Sequence, residues 1–304
     1  MIAALTATLL LTAACPTHGQ VLAAAADAVE ARYVTEAEGQ RIAGQMREWR
    51  SSGRYRQSCR DTESFLEQVN SDLDLLDPHF FLEKTDANGG TGDDWLTSWR
   101  AESRTVNAGI RDVRVLEGNV GYLRISSFYP WDLARPKLEA ALHFLADVDA
   151  LIIDVRGNGG GDSATASHLV RALLGRETTA VQAIESRAGL TRELLPQLSL
   201  PATPLNIPVA VLIDRRSGSA SEYVAYSLQA EGRAVLVGAR SGGVATMFGD
   251  PIPLGSGFSL SVPESRPVNL RTGANWEGGG ARPDLPGGDD PLHVARRMLE
   301  EAKN

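Results

Sequence analysis

The sequence predicts an α/β protein with a smaller helical domain at its N-terminus. From about residue 106 onwards, short apolar runs that are typical of buried strands alternate with segments of helical periodicity. Residues 21–84, by contrast, contain segments in which apolar residues recur at helical spacing. No repeat with a period of roughly 20 to 50 residues is found, so a solenoid or propeller is not expected.

Three helices are predicted in the N-terminal domain. The third opens with a capping box, in which Asp61 or Thr62 precedes acidic residues and an apolar face. The polar, glycine-rich stretch KTDANGGTGDDW at 84–95 then predicts a loop and a domain boundary. The predicted helices span 21–34, 37–53 and 61–76, and the predicted domains are a leader at 1–20, the helical domain at 21–104 and the α/β core at 105–304.

Each element of the core is predicted by its own pattern. Residues 110–128 alternate on both sides of EGN at 117–119, which is typical of a β-hairpin. ALIIDVR and IPVAVLID are short apolar runs ended by a charge, as buried strands are. The remaining predictions are helices at 134–148, 164–175, 221–232 and 290–304, strands at 150–156, 178–184, 207–214 and 234–238, and an antiparallel strand at 258–270.

Composition limits the classes of partner. The chain has 304 residues, of which 43% are hydrophobic and 22% charged, and its net charge is −8. This acidic balance gives no reason to expect nucleic acid or an anionic membrane as a partner. No cluster of His, Cys and acidic residues shows metal-ligand spacing, so no metal or other cofactor is expected.

The first twenty residues resemble a secretory signal, because their apolar run is too short to span a bilayer as a helix. TAAC at 12–15 is similar to a lipoprotein box, with Cys15 as the lipidated residue. Thr12 stands where such boxes prefer leucine, and no basic residue precedes the apolar run. Cleavage after Gly19, which would release a soluble protein, is the alternative. We expect an exported protein, either periplasmic or anchored as a lipoprotein in the cell envelope.

A glycine-rich segment, DVRGNGGGDSA at 154–164, follows a predicted strand. Bare backbone N–H groups in such a loop suit an anion or an oxyanion. A dinucleotide fingerprint would need glycine at position 162, which is Asp162, and no Walker lysine follows. Phosphate binding is therefore not expected. The alternative is a loop that only turns the chain.

Three serines, Ser217, Ser219 and Ser221, lie between a predicted strand and a predicted helix. Ser221 with Glu222 most resembles a helix start, whereas Ser219 sits where a strand-to-helix turn would expose its hydroxyl. The G-x-S-x-G elbow of α/β-hydrolases is absent, because serines flank Ser219 at both glycine positions. The segment predicts either a nucleophilic serine or a capped helix.

A nucleophilic serine needs a base, and His79 is the best placed of the five histidines. It follows Pro78 in a turn at the end of a predicted helix, before two aromatic residues. His18 belongs to the leader, and the other three, His143, His168 and His293, lie within helical patterns.

Glu277 lies between Trp276 and three glycines. A carboxylate beside an indole and bare backbone usually has a partner, because burying an unpaired charge is costly. The alternative is an exposed glutamate in a turn.

In order along the chain, these segments resemble the tail-specific, or C-terminal processing, serine peptidases. The resemblance is to the branch that includes tricorn core peptidase and the interphotoreceptor retinoid-binding protein modules. It covers most of residues 75–286 and rests on segments that are specific together: DPH (77–79), GNVGYLRISSF (118–128), DALIIDVRGNGGG (149–161), PVAVLIDRRSGSASEYVAYSLQ (208–229), RAVLVGARSGG (233–243) and RTGANWEGGGARPDLP (271–286).

The resemblance implies a crotonase-like spiral core of β-β-α units. It also implies that Ser219 is the nucleophile, and that Gly160, Gly161 and the Ala220 N–H form the oxyanion hole. Processing peptidases pair the serine with a lysine, but the matching position here is Val244 and the chain has only three lysines, Lys84, Lys137 and Lys303.

The tricorn-like branch instead uses a histidine and a glutamate, which match His79 and Glu277. Too few residues separate His79 from the hairpin to hold the PDZ module of many processing peptidases. Phe80 and Phe81 follow DPH where relatives have a small or aliphatic residue. That departure affects the expected shape of the site beside His79.

The sequence therefore predicts an exported serine endopeptidase that acts on peptides or unfolded proteins. His79 would take the proton of Ser219, and Glu277 would orient or stabilise the imidazolium, directly or through a hydroxyl. The alternative is a non-catalytic binder of apolar ligands, retinoid-like or fatty-acid-like, with RELLPQLSLPATPLNIP at 192–208 as one wall of its pocket.

Overall fold

The computed structural model describes residues 16–58, 61–84 and 92–302. The described chain divides into two compact units, the first formed by residues up to 89 together with 247–264, and the second by 90–246 together with the residues from 265 onwards. The first unit is therefore neither continuous nor purely helical, unlike the helical domain predicted over 21–104.

The first unit packs three helices against a small antiparallel sheet. Its buried cluster includes Ile42 and Met46 from the second helix, Phe65 from the third and Leu260 from the sheet. Asp61 caps the third helix as predicted, because its side chain accepts the N–H groups of two first-turn residues. The elements, numbered in chain order, are α1 (Pro16–Arg32), α2 (Glu36–Ser52), α3 (Thr62–Asp74), β1 (Phe81–Lys84), β9 (Met247–Phe248), β10 (Ile252–Gly255) and β11 (Phe258–Ser261), with sheet order β1-β11-β10.

The second unit is built on a six-stranded sheet, whose strands lie in the order β13 (Leu285–Pro286), β8 (Val235–Gly238), β7 (Val209–Ile213), β4 (Ala150–Asp154), β3 (Val120–Ile125) and β2 (Ile110–Leu116). Strands β3, β4, β7, β8 and β13 run parallel, and β2 closes the edge as the antiparallel partner of β3. The other elements of this unit are α4 (Gly92–Thr105), α5 (Trp131–Phe144), α6 (Ser163–Leu174), β5 (Gln182–Ser186), β6 (Gly189–Glu193), α7 (Ala220–Ala230), β12 (Pro263–Asn269) and α8 (Pro291–Glu301).

Both faces of this sheet are covered, which explains the uninterrupted apolar runs of its central strands. Leu151 and Val211 belong to the large cluster under α5, α6 and α7, whereas their neighbours Ile152 and Leu212 belong to the cluster under α8. Alternation along each strand thus fills two cores. The predicted α/β class is confirmed.

One predicted strand is divided in two. The run at 258–270 forms β11 and β12, with the break at Val262, immediately before Pro263. Proline has no N–H to donate to a sheet ladder, which favours an interruption at this point. The chain passes from the first unit to the second shortly afterwards, between Glu264 and Ser265.

The two segments that the sequence singled out lie at the same edge of the sheet. β4 and β7 are adjacent and parallel, the glycine-rich loop follows β4, and the serine turn follows β7. The carboxyl ends of parallel strands are the usual place for sites in such sheets. Residues 1–15, with Cys15, and the centre of the predicted loop at 85–91 lie outside the described residues.

Candidate active site

Ser219 is the last residue before α7, and its backbone is strained. Its φ of 51° and ψ of −118° are values that residues with a side chain seldom adopt. Ser219 is partly exposed, whereas Ser217 and Ser221 are fully buried. The strand-to-helix turn thus presents one serine of the three towards solvent.

The two buried serines use their hydroxyls to build the turn. Ser217 Oγ donates to Val155 O at 2.8 Å and accepts the Asp214 N–H at 3.0 Å. Ser221 Oγ approaches Asn158 O at 2.7 Å. These hydroxyls are structural, and the helix start predicted at Ser221 is shifted to Ser219, because the Ser221 side chain turns into the neighbouring loop.

Glu222 organises the turn, and the sequence suggested only a capping role for it. The Ser219 N–H donates to Glu222 Oε2 at 2.9 Å, as in the glutamate half of a capping box. The fully buried carboxylate also accepts from Ser241 Oγ at 2.5 Å, Gly243 N at 2.7 Å and Val244 N at 2.8 Å. Burial raises the pKa of Glu222, although these four donors act in the opposite direction.

The loop after β4 packs directly on Ser219. A methyl group at Gly160 would lie 2.7 Å from the Ser219 Cβ and 3.0 Å from the Ala220 nitrogen, and the φ of Gly160 is +113°. Only glycine suits this position. At Gly161, with φ of +125°, a Cβ would lie 2.1 Å from the carbonyl oxygen of Phe128.

Two of the three predicted oxyanion-hole groups have an available N–H in this structure. Gly160 N–H donates to Asn158 Oδ1 at 2.8 Å, so it is occupied. Within the described chain, the N–H groups of Gly161 and Ala220 donate to no protein acceptor. Ala220 is also the first residue of α7, where the helix dipole favours negative charge.

Asn158 joins the glycine loop to the serine turn. Its side chain bonds Ile125 O and the Gly160 N–H, and its carbonyl oxygen accepts from Gly218 N at 2.9 Å and from Ser221 Oγ. Asn158 is fully buried. The sequence did not predict a role for this side chain, because an asparagine within a run of glycines is typical of an ordinary loop.

Asp154 anchors the base of the same loop. Its carboxylate, which is fully buried, accepts from the Tyr122 hydroxyl at 2.7 Å and from Arg156 Nη2 at 2.6 Å. Burial alone would raise the pKa of Asp154, but the bonds from Arg156 and Tyr122 outweigh it and lower the pKa. The carboxylate therefore stays ionised at neutral pH.

Glu277 is held by the loop that follows β8. Its Oε2 accepts Ala245 N at 2.9 Å, Thr246 N at 2.8 Å and Thr246 Oγ1 at 2.9 Å. Trp276, which is buried, donates from Nε1 to Val244 O at 2.9 Å. Two glutamates, Glu222 and Glu277, thus bind the four successive N–H groups of residues 243–246.

His79 belongs to the first unit, whereas Ser219 and Glu277 belong to the second. His79 follows α3 in a turn, where its Nδ1 lies 2.7 Å from Asp77 Oδ1. The same oxygen accepts the His79 backbone N–H at 2.9 Å. Asp77 is a residue that the sequence analysis did not single out, although it lies within the DPH motif.

Comparisons with known proteins agree on one family. The sequence profile described as Peptidase family S41 matches residues 119–286. The carboxy-terminal processing protease CtpB of Bacillus subtilis is 28% identical over 166 residues, which are 54% of this chain and 33% of that protease. A carboxyl-terminal-processing protease of Synechocystis is 35% identical over 149 residues, or 47% of this chain and 33% of its own. The chain thus spans about a third of the length of these relatives.

Solved structures share the fold over nearly the whole chain. A lipoprotein from Streptococcus agalactiae has a TM-score of 0.62 and 16% identity, covering 97% of this chain and 99% of its own. A photosystem II D1 C-terminal processing protease has a TM-score of 0.57 and 17% identity, covering 90% of this chain and 94% of its own. At these identities the likeness concerns the fold.

Proposed function

Because the chain belongs to peptidase family S41, we propose that it is an exported serine peptidase with Ser219 as nucleophile and His79 as general base. The observation that carries the proposal is the strained, partly exposed Ser219 at the start of α7, with Gly160 packed against it. Nucleophilic serines on strand-to-helix turns are held in this way, so that the hydroxyl stands clear of the helix. The substrate class is a peptide or an unfolded protein.

The chemistry follows from these groups. Ser219 Oγ attacks the scissile carbonyl carbon while its proton passes to His79, and the carbonyl oxygen becomes an oxyanion. The N–H groups of Gly161 and Ala220 are the donors proposed for that oxyanion, in place of the occupied Gly160 N–H. The protonated histidine then gives its proton to the leaving amine, and water releases the acyl group from Ser219 by the reverse sequence.

In the proposed mechanism, Glu277 is the carboxylate that assists His79. Three donors from Ala245 and Thr246 hold its Oε2, which keeps the carboxylate in a fixed position. A fixed carboxylate stabilises positive charge without reorganising during the reaction. It could act on the imidazolium directly or through a hydroxyl.

The alternative, a carrier of apolar ligands, loses part of its support. Leu195 and Leu200, from the segment expected to form a pocket wall, pack into the main core of the second unit. Buried in this way, they are not available to line a ligand cavity. We therefore favour the peptidase.

Export as a lipoprotein is proposed for the N-terminus. The side chain of His18 is buried in α1, where its ring stacks on Phe65 at 3.9 Å between centroids. Cleavage after Gly19 would remove this packing, whereas cleavage before Cys15 would leave α1 complete. The fold-related protein from Streptococcus agalactiae is described as a lipoprotein. Among the described residues, no helix is long and apolar enough to cross a membrane.

Two experiments test these proposals. Hydrolysis of an unfolded protein such as casein should be lost in Ser219→Ala, by about 10⁴-fold or more, with an unchanged melting temperature. Equal activity in Ser219→Ala and wild type would overturn the peptidase assignment.

The lipid anchor is tested at Cys15. Cys15→Ser should abolish palmitate incorporation and release the protein from the membrane fraction. Continued incorporation would contradict lipidation at Cys15.

A further inference from the structure

The carboxylate of Asp77 is fixed on both of its oxygens. Oδ1 bonds the ring Nδ1 and the backbone N–H of His79, and Oδ2 accepts the hydroxyl of Tyr33 at 2.9 Å. Tyr33 follows α1, and Asp77 follows α3, so two elements of the first unit hold this group. A carboxylate with both oxygens bonded cannot turn away from the imidazole without breaking several hydrogen bonds.

The backbone around the pair is equally constrained. Asp77 N–H donates to Leu73 O at 2.9 Å, which ties the turn to the end of α3, and Phe80 N–H donates to Asp77 O at 3.3 Å. Pro78 has its φ fixed by its ring. The buried Phe80 stacks on Tyr33 with centroids 5.8 Å apart, which accounts for an aromatic residue at this position.

A carboxylate bonded to Nδ1 determines whether the other ring nitrogen, Nε2, can accept a proton. It favours the tautomer with hydrogen on Nδ1, so that Nε2 keeps its lone pair and can accept a proton. Its negative charge also stabilises the imidazolium that forms when the proton arrives. Burial would raise the pKa of Asp77, but the bonds from His79 and Tyr33 lower it overall, so the carboxylate is charged at neutral pH.

We propose that Asp77 is the positioning residue of the general base His79, fixing its tautomer and stabilising its charged form. This inference rests on the proposed function. Asp77 holds Nδ1 in this proposal, and Glu277 keeps the assisting role given to it in the proposed function.

The test compares Asp77→Asn with Asp74→Asn. Asp74 is an exposed carboxylate three residues earlier, at the end of α3, and serves as the matched control. Asparagine keeps the shape of the side chain but loses the charge and offers an amide donor to Nδ1. We expect kcat on a fluorogenic peptide to fall by about 10²- to 10⁴-fold in Asp77→Asn, with KM little changed, and Asp74→Asn to match wild type.

The pH profile separates positioning from a structural role. Activity requires neutral His79, so wild type should lose activity on the acid side with an apparent pKa of roughly 6 to 7. Removing the negative charge of Asp77 lowers the pKa of the imidazole, and the acid limb should move to lower pH by about one pH unit. Among the described residues of this unit, His79 and Tyr33 act on the pKa of the Asp77 carboxyl, and Arg41 of α2 lies beyond the phenol of Tyr33. A structural role would lower the melting temperature and leave the acid limb in place.

A second variant, Tyr33→Phe, keeps the proposal testable if Asp77→Asn does not fold. Tyr33→Phe keeps the ring that stacks on Phe80 but frees Asp77 Oδ2, and it should lower kcat several-fold without a large change in melting temperature. The inference is overturned if Asp77→Asn has wild-type kcat and an unmoved acid limb. If Asp77→Asn does not fold, wild-type kcat in Tyr33→Phe overturns it. If Ser219→Ala and His79→Ala are inactive in the same assay, the proposed function stands even then. If Ser219→Ala stays active, the proposed function itself has failed.

Discussion

The backbone nitrogens of Ser219 and Val244 donate to the same atom, Glu222 Oε2, at 2.9 and 2.8 Å. The two nitrogens therefore lie no further apart than the sum of these distances. The resemblance described above aligns Val244 with the lysine of the processing peptidases. The residue is 41% exposed, so this position next to the serine turn can take a longer side chain.

A lysine at position 244 should partly replace the histidine base. We expect His79→Ala with Val244→Lys to recover activity by about 10-fold or more over His79→Ala alone, because the unprotonated amine of a lysine next to the serine can take its proton. The acid limb should then move to higher pH, since the pKa of lysine is ordinarily about 10.4. Val115→Lys, an exposed valine on β2, is the control for added charge. Equal recovery with Val115→Lys would count against the proximity argument.

Replacing Glu222 with glutamine should disable the serine turn. Four donors converge on this carboxylate, and an amide nitrogen in place of one oxygen would face them donor to donor. We expect kcat/KM to fall by about 10²-fold or more and the melting temperature to drop. Glu231→Gln, which removes a surface ion pair at the other end of α7, should leave both near wild type. Activity of Glu222→Gln within about threefold of wild type would refute the role given to this carboxylate.

A methyl group added to the glycine loop should impair activity at Gly160 but not at Gly159. Gly160→Ala places a Cβ 2.7 Å from that of Ser219 and forces an L-residue to a φ of +113°. We expect a loss of kcat of about 10²-fold or more together with a lower melting temperature. Gly159→Ala meets no atom within 4 Å and is the control one residue away. Similar kinetics for the two variants would show that the packing of Gly160 on Ser219 is unimportant.

Glu277→Gln distinguishes a catalytic role of this carboxylate from a structural one. If Glu277 stabilises the imidazolium, kcat should fall by about 10²- to 10⁴-fold with KM little changed. If it only holds the loop through Ala245 and Thr246, the melting temperature should fall and kcat should stay near wild type. We expect the first result, from kinetics and thermal unfolding measured on one preparation.

The sequence predicted the central strands of the second unit correctly, because local apolar runs mark strands that are buried on both faces. ALIIDVR and IPVAVLID are buried strands with cores on both sides, and their apolar runs led directly to the loops that carry Gly160 and Ser219. The choice of Ser219 over Ser217 and Ser221 stays a prediction. Its tertiary reason, the burial of both neighbours, is not visible in the spacing.

The parts that the sequence did not reveal depend on pairs that are distant along the chain. Strand β1 pairs with β11, where Phe81 lies opposite Ser261. No local sequence pattern predicts that residues 247–264 belong to the first unit. The role of Glu222 was hidden for a related reason. Its S-x-x-E spacing is equally typical of a helix cap, and the partners at 241–244 are supplied by another loop.

Covalent labelling with a fluorophosphonate, followed by mapping of the modified peptide, tests whether Ser219 is the nucleophile. We expect a single adduct on Ser219, a labelling rate reduced by His79→Ala, and no adduct in Ser219→Ala. Ser217→Ala is the control, because its buried hydroxyl serves the turn. An adduct on Ser217 or Ser221, or no adduct in a folded wild-type protein, would contradict the claim that Ser219 is the nucleophile.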